Sequence, residues 1–251
     1  MSKFYNPHRS RNLYQPGAKK PFKISRSKID LFVECPRCFY IDRRLGTGRP
    51  PGFPFNINSA VDTLLKSEFD VHRAAGTPHP LLEAYGLDAV PARHAEIDAW
   101  RENFKGVQFL HEPTNLIITG AIDDLWIDGA GNYIVVDYKA TAKKEPVKTL
   151  NLAWQIGYKR QMEIYQWLLR RNELRVSDTG YFVYCTGNPN APAFDAKIEF
   201  EIHLIPYKGN DGWVEQTIVE LHECLNQDSV PAAGKDCDYC AYVAAVGTAV
   251  S

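Results

Sequence analysis

The chain has 251 residues, of which 45% are hydrophobic and 24% are charged, and its formal net charge is −1. These values are ordinary for a globular protein, and the length suits one α/β core with helical additions. No apolar run approaches the roughly 20 residues that a membrane-spanning helix needs, which argues against a membrane protein.

Basic residues are concentrated at the beginning of the chain, since residues 1–49 contain twelve Lys or Arg and three Asp or Glu. Residues 1–23 show no periodic pattern and are predicted to form an irregular basic arm. Such an arm can follow a phosphate backbone, and a solvated tail is the alternative. The candidate DNA contacts in this arm are Arg9, Arg11, Lys19, Lys20 and Lys23.

The cysteines indicate metal binding rather than disulfides. No apolar stretch follows the N-terminal MSKFYNPHRSRN, so a secretory signal is not expected and the expected location is a reducing cytoplasm. In that environment cysteines are more often metal ligands or buried thiols. Two Cys-x-x-Cys pairs are Cys35 with Cys38 and Cys237 with Cys240. The other two, Cys185 and Cys224, are interpreted as core residues.

The first helices are predicted from capping patterns. The pattern Ser27-x-x-Asp30 predicts a short helix that stops at Pro36. A loop rich in Gly and Pro, GTGRPPGFPF, follows it. Asn58 and Ser59 then form an N-cap pair for an amphipathic helix. Apolar side chains recur at helical spacing in that helix, namely Val61, Leu64, Leu65 and Phe69.

The remaining pattern predicts an α/β fold with a small mixed sheet flanked by helices. Runs rich in β-forming residues predict strands at 107–111, 116–127, 133–139, 180–185 and 197–205. Helical patterns lie at 92–104, 150–172 and 212–226. The last two cysteines are expected in a loop after the final helix.

Catalytic chemistry is predicted in the hairpin whose strands read GAIDD and VVDYKA. A turn signal centred on Ala130 places Asp123 opposite Asp137. Opposed like charges destabilise a strand pair, so water or a cation is expected between them. Oxygen ligands favour Mg²⁺ or Mn²⁺. Lys139 lies on the same face as Asp137, where it can orient a metal-bound water or stabilise a scissile phosphate.

A solvated acidic face is the alternative interpretation of this hairpin, since Asp124 and Asp128 add to its charge. Asp124 points to the opposite face from Asp123 and is interpreted as a structural or exposed carboxylate. The apolar residues on both sides of Asp137 and Lys139 favour a buried strand that ends at a catalytic site.

The motifs resemble the PD-(D/E)XK nuclease superfamily, in its RecB-like branch. The family pattern of G-x-I-D, D-x-K and a helical Q-x-x-x-Y corresponds to residues 120–123, 137–139 and 161–165. The resemblance covers about residues 24–242 and implies a restriction-endonuclease-like mixed sheet flanked by helices. The implied metal ligands are Asp123, Asp137 and the carbonyl of Tyr138. The other implied site residues are Lys139 as catalytic lysine and Gln161 and Tyr165 as site or DNA contacts.

The cysteines resemble those of AddB-type nuclease domains and of the CRISPR-associated exonuclease, to which SKIDLFVECPRCFYIDRRLG is especially similar. The resemblance implies an iron-sulfur cluster, of the [4Fe–4S] type, that joins the N- and C-terminal segments. Its ligands would be Cys35, Cys38, Cys237 and Cys240. Those relatives place one cysteine before the core and three after it, whereas this chain has two and two, so [2Fe–2S] and Zn²⁺ stay open.

The relatives also place a metal-contacting His in the first core helix, where this chain reads NSAVDTLLKSEFD. Asp62 occupies the comparable position and is the expected additional metal ligand. Glu68 is the alternative ligand, and an ordinary charge at the rim of the helix is the alternative role for Asp62. Weaker candidates, each interpreted first as a surface or core residue, are His72, His79 and His94.

The resemblance therefore implies a metal-dependent DNA nuclease, an exonuclease on single-stranded or end-containing DNA, with its domain at 24–245. Implied partners are CRISPR-adaptation or recombination proteins. Residues that could follow and stack on a DNA strand are Lys143, Lys144, Lys148, Lys159, Arg160, Trp154 and Tyr158. The alternative function is a non-cleaving DNA- or protein-binding module of nuclease fold that is stapled by zinc.

Overall fold

The computed structural model describes residues 5–52 and 56–250. Its α-helices are α1 Arg26–Glu34, α2 Pro36–Tyr40, α3 Asn56–Ala75, α4 Pro80–Ala84, α5 Ile97–Trp100, α6 Ile156–Arg171, α7 Val214–Asn226 and α8 Asp238–Ala249. Its strands are β1 Phe22–Ser25, β2 Ala89–Pro91, β3 Val107–His111, β4 Leu116–Gly120, β5 Asp124–Asp128, β6 Tyr133–Ala142, β7 Thr179–Gly187 and β8 Phe200–Lys208. The predicted mixed α/β fold is confirmed.

The chain forms two compact units. The first unit contains the described residues within 1–53, 109–119 and 212–251, and the second contains those within 54–108 and 120–211. The β5–β6 hairpin belongs to the second unit, and all four cysteines of the Cys-x-x-Cys pairs belong to the first.

The second unit is built on a five-stranded mixed sheet with the strand order β2-β5-β6-β7-β8. Strands β6 and β7 are parallel, and the other neighbours are antiparallel. Parallel neighbours need a crossover connection, and α6 lies in that connection. Helix α3 packs on the sheet through Phe69, which is fully buried and stacks on Trp126 of β5, with ring centroids 5.3 Å apart.

The hairpin register decides which side chains meet. Asp124 pairs with Val136 and Ile127 with Tyr133, so the hairpin is centred on Ala130, as the sequence predicts. Gly131 has a φ of +80° in the turn, a conformation that glycine adopts without steric cost. Residue 123, directly before β5, therefore adjoins residue 137 in β6.

The first unit contains the sheet of order β1-β4-β3, apart from the ends of β3 and β4. Strand β1 runs parallel to β4 in the register Ile24↔Ile118, and both of these side chains are fully buried. Helices α1 and α7 pack in the same unit. Residues 5–21 contain no helix or strand, while residues 1–4 of the predicted arm lie outside the described residues.

Two predicted helix starts were displaced. Helix α1 begins at Arg26 rather than after Ser27, and it ends before Pro36 as predicted. Pro36 also begins α2, because proline fits the first turn of a helix. Asn58 is not an N-cap, because α3 already begins at Asn56, and its side chain donates to the carbonyl of Ala140 at 3.1 Å. Residues 53–55 of the predicted loop lie outside the described residues.

Three other boundaries differ from the prediction. The predicted strand at 116–127 is two strands, β4 and β5, with a break at residues 121–123 that frees Asp123 from the ladder. The predicted helix at 92–104 is reduced to α5. Cys240 lies in α8 rather than in a loop, because the Ala-rich sequence after Cys237 favours helix. No helix in the described part of the chain is long and apolar enough to cross a bilayer.

Candidate active site

The candidate active site lies at the end of the β5–β6 hairpin. The backbone N–H of Tyr138 donates a hydrogen bond to Asp123 Oδ2 at 2.8 Å, which holds this carboxylate against β6. The ammonium group of Lys139 forms an ion pair with Asp137 Oδ2. The hairpin therefore brings two carboxylates and one lysine to the same edge of the sheet.

Asp137 is the most buried of these groups, with 0% of its surface exposed. Among the described residues, no hydrogen-bond partner reaches its Oδ1 atom, and the contact of its Oδ2 atom is the ion pair with Lys139. A carboxylate oxygen that is buried without a partner is costly. This atom is therefore a strong candidate for contact with an additional cation.

Lys139 is held in its charged form. Its side chain is only 15% exposed, and its Nζ atom lies 4.7 Å from the ring centroid of Tyr158. Burial opposes the charged form, but Asp137 and Asp123 outweigh it and raise the pKa of Lys139 above its ordinary value. At neutral pH this side chain is an ammonium ion that can stabilise negative charge.

Helix α3 adds a third carboxylate and a second lysine to the site. Lys66 Nζ lies 2.9 Å from Asp62 Oδ2 and 4.0 Å from Asp123 Oδ1. Burial and the proximity of Asp123 raise the pKa of Asp62, although Lys66 opposes this. Lys66 was missed in the sequence, where its spacing of four residues from Asp62 was the available signal.

Asp62, Asp123 and Lys139 line a cleft of about 440 Å³ in the second unit. Its lining residues are Asn58, Ser59, Val61, Asp62, Asp123, Tyr138, Lys139, Ala140 and Tyr158. Burial, and next the charge of Asp137, raise the pKa of Asp123 to about 6. The charge of Asp137 therefore disfavours the ionisation of Asp123, and a bound divalent cation would relieve that repulsion.

The four cysteines of the two Cys-x-x-Cys pairs lie together in the first unit. Their sulfur atoms all lie within 4.8 Å of one another. The closest Sγ–Sγ distances are 3.6 Å for Cys38–Cys237 and 3.7 Å for both Cys38–Cys240 and Cys35–Cys240. The predicted grouping of these residues is confirmed.

Polar groups surround the four sulfurs. The backbone N–H groups of Gly234 and Cys38 donate to Cys35 Sγ at 3.2 and 3.4 Å, and Arg49 Nη2 donates to Cys237 Sγ at 3.4 Å. Although burial opposes ionisation, the hydrogen bonds from Gly234 and Cys38 lower the pKa of Cys35 to about 6. The donors favour the metal-binding thiolate form at Cys35, whereas burial raises the pKa of Cys38 and Cys240.

The comparison with protein families decides the classification. A family model described as "PD-(D/E)XK nuclease superfamily" matches residues 56–245, a range that contains the whole cleft. The chain belongs to this nuclease superfamily. No curated protein matches the chain. A similar solved structure is described as "Crystal structure of SSO0001", with 16% identity and a TM-score of 0.36 over 90% of this chain and 86% of that one.

Nucleases of this superfamily use divalent metals, and the donor set of the cleft fits such ions. Asp62, Asp123 and Asp137 offer carboxylate oxygens, which are the ligands that Mg²⁺ and Mn²⁺ prefer. The fit is supported by the Oδ1 atom of Asp137, which is buried and has no hydrogen-bond partner in the part of the chain that the structure describes. The carbonyl of Tyr138, which the resemblance implies as a ligand, follows Asp137 in the same strand.

The Q-x-x-x-Y motif of the nuclease lies on α6, where Gln161 Nε2 donates to the hydroxyl of Tyr165 at 3.1 Å. Both side chains are buried. A Cβ atom at Gly120 would lie 2.6 Å from the Tyr165 ring, which explains why this position is glycine. As buried residues, Gln161 and Tyr165 are better placed to support Lys139 than to contact DNA.

Asp124 is structural rather than exposed, so one of its two predicted alternatives is wrong. Its side chain is fully buried and forms an ion pair with Arg73, which also donates to the carbonyl of Leu125 at 3.2 Å. The hydroxyl of Tyr138 donates to Asp124 Oδ2 at 2.8 Å. Arg73 was missed in the sequence, because a lone arginine in an amphipathic helix gives no sign of burial.

Of the two acidic candidates in α3, Asp62 lies in the cleft and Glu68 does not line it. Glu68 Oε1 lies 3.0 Å from His79 Nε2. The candidate histidines have other neighbours, namely Thr77 for His72, Phe69 for His79 and Trp100 for His94. Cys185 and Cys224 are buried thiols, as predicted.

The candidate DNA contacts differ in their surroundings. In the arm, Arg9 forms an ion pair with Asp42 at 2.9 Å, while the other four candidates are exposed. After β6, Lys143 lies 5.6 Å from the ring of Trp154, and Trp154 packs edge-on against Tyr158 with centroids 5.6 Å apart. Lys144 and Lys148 are also exposed.

Proposed function

We propose that this nuclease hydrolyses phosphodiester bonds in DNA with the help of divalent metal ions and that it acts as an exonuclease on single strands or strand ends. The observation that carries the proposal is one cleft lined by Asp62, Asp123 and Lys139. The buried Asp137 forms an ion pair with Lys139, and its Oδ1 atom has no hydrogen-bond partner among the described residues. This combination suits the charge that develops in phosphodiester hydrolysis.

Three carboxylates are assigned to metal binding. Asp123 and Asp137 are the principal ligands, with the Tyr138 carbonyl beside them, and Asp62 from α3 is the additional ligand. Bound divalent ions would supply a Lewis acid and lower the pKa of a coordinated water. The hydrogen bond from the Tyr138 N–H and the burial of Asp137 hold the carboxylates in fixed positions before the ions bind.

Lys139 is assigned to charge stabilisation rather than to proton abstraction. Its ion pair with Asp137 favours the ammonium form, which lacks the free electron pair of a general base. A protonated lysine can orient the attacking water or stabilise the negative charge on the scissile phosphate. Tyr165 and Gln161 are assigned as positioning residues behind it.

The strand is proposed to run past Trp154 and Tyr158. Trp154 is 54% exposed, and Tyr158 lines the cleft with its ring 4.7 Å from Lys139 Nζ. Bases of any identity can stack on such rings, while the nearby Lys143 can contact the backbone phosphates. This arrangement suits a single strand better than a continuous duplex, because bases must be unpaired to stack.

The exonuclease activity and the pathway are proposed from sequence similarity. The similarity of residues 27–46 to the CRISPR-associated exonuclease supports a role beside CRISPR-adaptation or recombination proteins, in the cytoplasm. The same similarity supports an iron-sulfur cluster, but the sulfur spacing favours the zinc alternative, as argued below.

The proposal is tested by incubating end-labelled single- and double-stranded DNA with the full chain in Mg²⁺ or Mn²⁺. Asp137→Ala and Lys139→Ala should abolish cleavage, whereas Asp98→Asn, at a carboxylate that is 91% exposed and outside the cleft, should leave it unchanged. Circular dichroism spectra check that all variants fold. Folded wild type that binds DNA without cutting it in either metal would instead support the non-cleaving module.

A further inference from the structure

We propose that the four clustered cysteines bind a single tetrahedral Zn²⁺ ion instead of an iron-sulfur cluster. The inference concerns the first unit and does not depend on nuclease activity. The distances between the sulfurs, the interleaving of the two pairs and the exposure of the last helix support it.

The sulfur distances match one metal ion. A tetrahedral Zn²⁺ site with Zn–S bonds of about 2.3 Å has sulfur–sulfur edges of about 3.8 Å. Three of the edges measured here are 3.6, 3.7 and 3.7 Å, and all four sulfurs lie within 4.8 Å of one another. One ion at the centre of the four sulfurs can therefore reach each of them with little movement of the backbone.

The same distances are too short for the clusters. In a [4Fe–4S] cluster each thiolate binds a different iron, so the sulfurs must be farther apart than around one ion. In a [2Fe–2S] cluster the thiolates divide into two pairs, one on each iron. Here Cys38 lies at similar distances from Cys237 and Cys240, and Cys240 also lies close to Cys35, so the sulfurs do not separate into two groups.

The backbone delivers the ligands in two similar turns. Cys35 is the residue before α2, whose third residue is Cys38, and Cys237 is the residue before α8, whose third residue is Cys240. Each pair therefore presents two sulfurs from one turn, and the two turns interleave. Arg49 beside Cys237 offsets the negative charge that four thiolates leave on a Zn²⁺ ion.

A metal ion would also explain how α8 is held. None of the residues of α8 is buried, and exposed apolar side chains in it include Tyr242, at 71%, and Val243, at 69%. One contact that holds the helix in the unit is between the ring of Tyr239 and the guanidinium of Arg49, at 4.7 Å from the ring centroid. Coordination by Cys237 and Cys240 would fix its first turn to the segment that carries Cys35 and Cys38, so the ion would have a structural role.

The test is metal analysis of the full chain, expressed in cells that are supplied with both iron and zinc and purified without oxygen, so that an iron cluster would survive. The expected result is one zinc per chain without acid-labile sulfide. Replacement by Co²⁺ should give the visible absorption bands of a tetrahedral cobalt thiolate. Iron with stoichiometric sulfide, or a folded chain that binds no zinc, would overturn the proposal.

Variants test the ligand set in the same preparations. Cys240→Ser should lose the zinc, and Cys224→Ser, at a buried thiol of the same unit outside the group, should keep it. Arg49→Met should weaken zinc affinity by about 10-fold in chelator competition, since it removes a donor to a ligand sulfur. Equal zinc in the Cys240→Ser and wild-type proteins would contradict this ligand set, and the wild-type metal analysis decides the question if Cys240→Ser does not fold.

Discussion

Asp123 and Asp124 are neighbours in the hairpin but are predicted to have different roles, the first in cleavage and the second in stability. Substituting each by alanine distinguishes these roles. Asp124 is fully buried and accepts hydrogen bonds from the Leu125 N–H at 2.8 Å and the Tyr138 hydroxyl at 2.8 Å, besides its ion pair with Arg73. Asp123 is 24% exposed in the cleft and accepts a backbone hydrogen bond. Stability should therefore depend on Asp124, and cleavage on Asp123.

The expected magnitudes follow from what each substitution leaves behind. Asp124→Ala removes the buried partner of the Arg73 guanidinium, whose side chain is 9% exposed, and leaves it with Asp70, a carboxylate at 2.9 Å that is 39% exposed. Removal of one partner of a buried pair costs about 3–5 kcal/mol, a large part of the roughly 5–15 kcal/mol that stabilises a typical protein. Asp123→Ala loses about 1 kcal/mol of hydrogen bonding but removes repulsion with Asp137, so its free energy of unfolding should change by less than about 1 kcal/mol.

The assay is urea unfolding followed by circular dichroism, without added Mg²⁺ or Mn²⁺, alongside DNA cleavage in Mn²⁺. The double variant Arg73→Met/Asp124→Ala should recover part of the lost stability, because it also removes the buried guanidinium that has lost Asp124 as its partner. A loss of less than about 1 kcal/mol in the free energy of unfolding of Asp124→Ala would refute this assignment of the two residues. An equal loss in Asp123→Ala would also refute it.

Four further results are expected. The affinity for Mn²⁺ should fall as the pH drops through about 6, because protons compete for Asp123, whose pKa is raised to about 6. Lys66→Met should bind Mn²⁺ more tightly, because the ammonium that competes for Asp62 and Asp123 is gone. Trp154→Ala should weaken single-stranded DNA binding by about 1–3 kcal/mol. Asp42→Asn should lower the melting temperature at pH 7 and lose this effect in acid.

The sign of the Asp42 prediction follows from its ion pairs. Burial opposes its ionisation, but Arg43 and Lys28 hold its pKa well below the usual range. A depressed pKa stabilises the folded state above the unfolded pKa of about 4, and that stability is lost as the pH falls below it. The difference in melting temperature between wild type and Asp42→Asn should therefore stay constant from pH 7 to about 5 and begin to shrink as the pH falls from about 4 to 3. A difference that does not shrink would contradict this role of Asp42.

Controls for the other three measurements come from the same chain. Calorimetric titration with Mn²⁺ should give no pH dependence near 6 in Asp123→Asn if that carboxylate is responsible. Lys197→Met, at a lysine that is 64% exposed and paired with Glu199, should leave Mn²⁺ affinity unchanged. Phe194→Ala, at an aromatic residue that is 71% exposed and outside the cleft, should not alter DNA anisotropy. If Phe194→Ala weakened the binding of single-stranded DNA as much as Trp154→Ala does, stacking on Trp154 would not be supported.

The sequence by itself determined the elements that local chemistry controls. The turn centred on Ala130 was predicted because its glycines and Asp128 have strong turn preferences, and the register of the hairpin follows from the turn alone. The proximity of Asp123 and Asp137 is a consequence of that register. The two-residue spacing of D-x-K matches the repeat of a strand, and the four-residue spacing of Q-x-x-x-Y matches one turn of a helix. The sequence therefore also placed Lys139 on a strand and Tyr165 on a helix.

Only the tertiary structure decided the contacts between segments that are distant along the chain. Asp62 rather than Glu68 reaches the cleft because α3 crosses the sheet in one orientation, and that orientation depends on the packing of Phe69 against Trp126. The burial of Arg73 beside Asp124 follows from the same packing. The distances between the four sulfurs distinguish a site for one metal ion from a site for an iron-sulfur cluster. These distances depend on how two segments about 200 residues apart in the chain pack together. Hydrophobic periodicity carries no information about such distances.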